Sequence, residues 1–144
     1  MTENDTVRLL RECDAGIKMG ISAIEDVLPN VSADSMKQLL EDGRQKHELL
    51  QQELGGMLQD CHDEGKDPSP MAKGMSKMKT NMKMAVHDSD QTIADLMTDG
   101  CNMGVKSLHK YLNQYRAADK KSKDIVKRLI NLEEHLAIDL RSYL

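Results

Sequence analysis

Four stretches of this chain repeat apolar residues at intervals of three or four, the spacing of a helix face and not of a strand. Residues 6–28 place Leu10, Cys13, Ile17, Ile21, Ile24 and Leu28 on one stripe, with Asp5 or Thr6 as the cap and Pro29-Asn30 as the stop. A second stripe runs through Met36, Leu40, Gly43, His47, Leu50, Leu54, Met57 and Cys61, then breaks at "DEGKDPSP". Beyond "HDSDQT", where Ser89 or Asp90 can cap, a third carries Ile93, Met97, Cys101, Gly104, Leu108, Tyr111 and Tyr115. The fourth, after "AADKKSKD", uses Ile125, Leu129, Leu132, Leu136, Leu140 and Tyr143. Each stripe needs another apolar surface to bury it, so the four predict an all-α bundle.

The halves of the chain resemble each other. "CDAGIK" at 13–18 aligns without gaps on "CNMGVK" at 101–106, and each opens a helix, turn, helix unit. The first helices of the two units match 88 residues apart, the second helices 89, which puts one inserted residue in the second turn. The expected organisation is one domain over 1–144: a helical hairpin at 6–64, a long helical crossover at 65–90 and a second hairpin at 91–144.

Composition narrows the partners. The net charge is −4 with no dominant basic cluster, and the aromatics are three tyrosines with no Phe or Trp. Neither the electrostatic footprint nor the stacking platform of a nucleic-acid binder is present, so nucleic acid is not an expected partner. The longest apolar runs are a few residues, which argues against a transmembrane segment. "MTENDTVRLL" lacks the basic then apolar pattern of an export signal, and Cys13, Cys61 and Cys101 are odd in number and far apart. Reduced thiols in a cytoplasmic protein are the expectation.

The order of hairpin, long crossover and hairpin resembles the ferritin-like superfamily. Within it, the chain resembles a bacterial family of four-helix-bundle proteins described as a domain of unknown function. The segments that carry the resemblance are "LLRECDAGIKMGISAIEDV", "LLEDGRQKHELLQQELGGML" and "DLMTDGCNMGVKSLHKYL", with "RLINLEEHLAIDL" adding to them. The resemblance implies an up-down bundle. Its di-iron members place a carboxylate on each of two helices and Glu-x-x-His on the other two. Here Arg44 stands three residues before His47, and Leu132 three before His135. The di-iron ligand set is therefore broken.

His47 is the one polar side chain at the centre of a stripe. A core-edge histidine bonded to a neighbour is the plain expectation. The sharper one groups His47 with Asp14, Asn102 and Glu133 as a degenerate site for a transition metal (iron, manganese, zinc or copper). His135 lies off its stripe and is expected at the surface. Cys13 and Cys101 hold equivalent repeat positions; with His47 they form a zinc set lacking the usual C-x-x-C spacing. Gly16, Gly20, Gly100 and Gly104 suggest close helix approach. Cys61-His62 sits near a helix end.

Residues 69–88, "SPMAKGMSKMKTNMKMAVHD", hold five methionines and four lysines. Met71, Met75, Met78, Met82 and Ala85 share a stripe, so the tract is expected to be a crossover helix with methionine filling a core that lacks Phe and Trp. Its alternatives are a contact for a membrane surface, a protein partner or a second copy of the chain, or a copper(I) cluster at Met82, Met84 and His87. With no nucleophile–base arrangement anywhere, the leading expectation is a non-catalytic binding or structural protein without a cofactor.

Overall fold

A computed structural model of the chain describes residues 4–68 and 89–144, and among these residues the regular elements are all helical. Four long helices span Asp5–Val27 (α1), Asp34–Asp60 (α2), Asp90–Gln114 (α3) and Lys120–Leu140 (α4). Single 3-10 turns follow α1, at Leu28–Asn30, and α4, at Arg141–Tyr143. No helix among the described residues is long and apolar enough to cross a membrane. The all-α expectation holds there, and the methionine tract, with its crossover helix and copper cluster, lies outside the described residues.

Local chemistry sets the helix starts. Asn4, Ser89 and Asp119 each accept a hydrogen bond from the backbone N–H three residues on, filling one of the vacant donors of a first turn. The cap of α1 is therefore Asn4, not Asp5 or Thr6. Those two side chains instead reach the α3–α4 turn, where Asp5 accepts from Ala117 N–H and Thr6 Oγ1 from Asp119 N–H. The turn between α1 and α2 is tied in the same manner by the other hairpin. Helix α2 has no cap of its own at Ala33; the Asp90 carboxylate accepts from Ser32 N–H at 2.8 Å and Ala33 N–H at 2.9 Å.

The helices form a four-membered ring in the order α1, α2, α4, α3. Arg11 pairs with Asp63 just past the end of α2, and Ile24 lies against Gly43, so α1 and α2 are antiparallel. Gly16 against Leu108 and Asp5 against Ala117 make α1 and α3 antiparallel as well. Consequently α2 and α3 run the same way, and the end of α2 lies a bundle length from the start of α3. Residues 63–67 begin the return along α1: Asp63 meets Arg11, Lys66 N–H donates to Asp14, and Asp67 meets Lys18. Residues 65–68 are not helical, which shortens the expected helical crossover at its first end.

The core divides into two apolar clusters. One gathers Leu9, Leu10, Ile17, Leu54, Leu58 and Leu129; the other gathers Ile24, Met36, Leu40, Ile93, Leu136 and Leu140. Each such leucine or isoleucine contributes roughly 1.5–3 kcal/mol by leaving water. Each helix meets its two ring neighbours, and α1 also touches α4 across the ring, so the buried arc is wider than a single stripe. Leu58, Val126, Ile130 and Ala137 are thus buried beside the expected positions, while Leu50, Met57 and Leu132 are only half-buried.

Candidate functional site

Between the two clusters lies a polar layer. His47 on α2 is fully buried, and Glu133 on α4 is 8% exposed. Both sit two helical turns or less from fully apolar neighbours, Leu40 and Leu54 on one helix and Leu129 and Leu136 on the other. Nδ1 of His47 lies 2.7 Å from the Gly43 carbonyl oxygen, and Nε2 lies 2.7 Å from Glu133 Oε1. The carbonyl can only accept, so Nδ1 carries a proton and donates it. Across the second contact a single proton joins imidazole to carboxylate. Burial works against a charged ring, but the Glu133 hydrogen bond and charge, with the Gly43 carbonyl, outweigh it and raise the His47 pKa above 6.5. When Nε2 carries that proton, the contact is a short charge-assisted bond from imidazolium to carboxylate.

Glycine makes room for it. A Cβ on Gly20 of α1 would stand 2.7 Å from His47 Nε2, nearer than real contacts allow. Gly104 of α3 faces the Glu133 carboxylate at ordinary contact distance, 3.9 Å from where its Cβ would be. Cys101 completes the layer: burial, then the charge and hydrogen bond of Glu133, push its thiol pKa up. Such a thiol stays protonated and unreactive at neutral pH.

No protein-family model, curated protein or solved structure matches this chain. The site is read on its own geometry.

Of the four residues grouped in sequence as a metal site, the fold brings together His47 and Glu133 and separates the other two. Asp14 stands six residues before Gly20 on α1, about 9 Å along the axis, and is held by Lys18 Nζ and Lys66 N–H, each at 2.9 Å. Asn102 is exposed, because one residue beyond the buried Cys101 turns it about 100° around the helix. Cys13 and Cys101 fall in different clusters, so they do not form a set with His47. Burial, and secondarily the Asp14 charge, push the Cys13 thiol up to about 12. Among the described residues, no group of three or more His, Cys, Asp and Glu side chains is placed to hold a metal ion.

The remaining candidates lie at the periphery. His62 takes a left-handed φ of 55° where α2 ends, and Cys61 is half-buried beside it. Arg44 does not crowd His47; it points along α2 toward Glu48, 3.9 Å away. Among the described residues nothing lies near a Cβ built on Gly100, so it serves no close approach to them. His135 is exposed, as expected from its register, and lines a groove of about 640 Å³ between α2 and α4. Leu50 and Leu132 form the apolar part of that groove, and Leu49 stands 61% exposed on its wall. The sequence reading did not single out this groove. Its one signal was Leu49, an apolar residue off the α2 stripe.

Proposed function

We propose that this chain is a non-catalytic binding protein with a ferritin-like bundle, working through its surface and not through its interior. The α2/α4 groove carries the reading. Leu49, 61% exposed on the wall of that groove, leaves apolar surface in water that a contact with another macromolecule would cover. Two antiparallel hairpins, with α2 and α3 running the same way, support the ferritin-like topology. Three unpaired cysteines support a reducing, cytoplasmic setting. The interior pair has both imidazole nitrogens engaged by Gly43 and Glu133, and so acts as a polar tie between α2 and α4.

A photo-crosslinking side chain at position 49, introduced into the protein in its native cells, tests the reading. Adducts at position 49 that are missing when the same group replaces the exposed Lys127 are expected. Equal labelling at the two positions would remove the groove as a binding surface. The rival reading, a transition metal held at His47 and Glu133, is tested by elemental analysis. Stoichiometric metal that disappears with His47→Gln would replace the present proposal with that one.

A further inference from the structure

We propose that the partner covering the α2/α4 groove is a second copy of this chain, related by a twofold axis that crosses the groove at the level of Leu49. This rests on the groove being a binding surface, and the charges around it select the occupant. On α2 the groove presents Lys46, then Leu49, then Glu53; on α4 it presents Arg128, then Leu132, then Asp139. Both helices therefore read basic, apolar, acidic from N- to C-terminus. They are antiparallel, so each end of the groove holds one cation and one anion: Glu53 with Arg128 at one end, Lys46 with Asp139 at the other. These four residues sum to no net charge, on a chain whose total is −4. A strongly acidic or basic partner gains little from such a pattern. A copy turned end for end about Leu49 sets Lys46 against Glu53 of the second copy at both corners of α2.

The spacing supports the match. Lys46 precedes Leu49 by three residues and Glu53 follows it by four, about 4.5 and 6 Å along the helix. A second α2 laid antiparallel across Leu49 brings Lys46 opposite Glu53 of the second copy, within about 1.5 Å of register. On α4 the midpoint between Arg128 and Asp139 falls beside Glu133. Glu133 lies level with His47, two residues or about 3 Å from Leu49. The level of Leu49 on α4 falls near residue 131, with Arg128 about 4.5 Å to one side and Asp139 about 12 Å to the other. The axis therefore brings the α2 pairs into register and leaves the α4 pairs offset by about 7.5 Å along the helix. Leu49 meets its own copy at the axis, where its exposed surface is covered. Such isologous contacts are the common form of soluble oligomer.

Sedimentation equilibrium of the purified chain tests this, with a mass of twice 16.2 kDa expected in the micromolar range. Lys46→Glu sets two carboxylates against each other at both corners of α2, and is expected to weaken the dimer at least tenfold. Adding Glu53→Lys should restore it, because the swapped charges again face their opposites. In a Cys61→Ser background, Leu49→Cys should form an intermolecular disulfide on oxidation, while Lys127→Cys should not. These are surface positions, so circular dichroism should stay helical throughout. A monomer at all accessible concentrations would overturn the proposal, as would a dimer indifferent to Lys46→Glu. Rescue by Asp139→Lys in place of Glu53→Lys would also overturn it, since the axis would then run along the groove. A monomer that still yields heavier adducts from position 49 would leave the groove a binding surface for a different protein.

Discussion

Gly20 and His47 share a space that holds only one side chain: a Cβ on residue 20 would lie 2.7 Å from Nε2 and 2.8 Å from Cδ2 of the ring. The ring cannot swing aside without breaking its bonds to Gly43 and Glu133. Gly20→Ala is therefore expected to destabilise by about 1–3 kcal/mol through overpacking, against an intrinsic helix gain of about 1 kcal/mol. Gly56→Ala on α2 meets nothing within 4 Å among the described residues and should stabilise by up to about 1 kcal/mol. Urea midpoints of the two variants should move in opposite directions; movement in the same direction would contradict the tight fit at Gly20.

Removing one partner of the buried pair differs from removing both. His47→Leu leaves the Glu133 carboxylate in the core without its donor, and should cost about 3–5 kcal/mol. His47→Leu combined with Glu133→Met replaces the polar layer by apolar side chains, and is expected to recover most of that loss. A double variant no more stable than His47→Leu alone would show that the pair contributes more than its own compensation.

The pair also makes stability depend on pH. His47 binds its proton more tightly folded than unfolded, because the Glu133 and Gly43 contacts outweigh its burial. Its stabilisation is complete below the unfolded value of about 6.5 and is lost as pH rises through the higher folded value. The thermal midpoint should therefore fall between neutral and mildly alkaline pH. Glu133→Gln, which removes the carboxylate that holds the proton, should flatten this slope. An equal slope in both proteins would assign the effect to another group.

Asp90 supplies α2 with the cap that Ala33 lacks, through the Ser32 and Ala33 N–H groups. Asp90→Ala should cost about 0.5–2 kcal/mol, as expected for loss of a helix cap. Faster amide exchange should then appear in the first turn of α2, not only in α3 where the substitution lies. Exchange confined to α3 would show that the inter-hairpin cap contributes nothing.

Much of the fold was legible in the sequence. The first stripe spans 6–28 and the helix runs Asp5–Val27; the other three agree to a similar degree. Helix faces are readable because 3.6 residues per turn is a property of the local backbone, which apolar spacing records directly. His47 was legible for the same reason, as the polar residue on a stripe. Its partner was not. Asp14, Asn102 and Glu133 were equivalent candidates until four helices had been rotated and slid into register, and a one-residue change of register turns a side chain by about 100°. Packing alone chose Glu133, set Gly20 beneath the ring, and brought Lys66 N–H to Asp14. It also carried Asp90 to a helix start 57 residues away and aligned Lys46, Leu49, Arg128 and Asp139 along one groove. Such relationships join residues far apart in the chain, and local spacing holds no record of them.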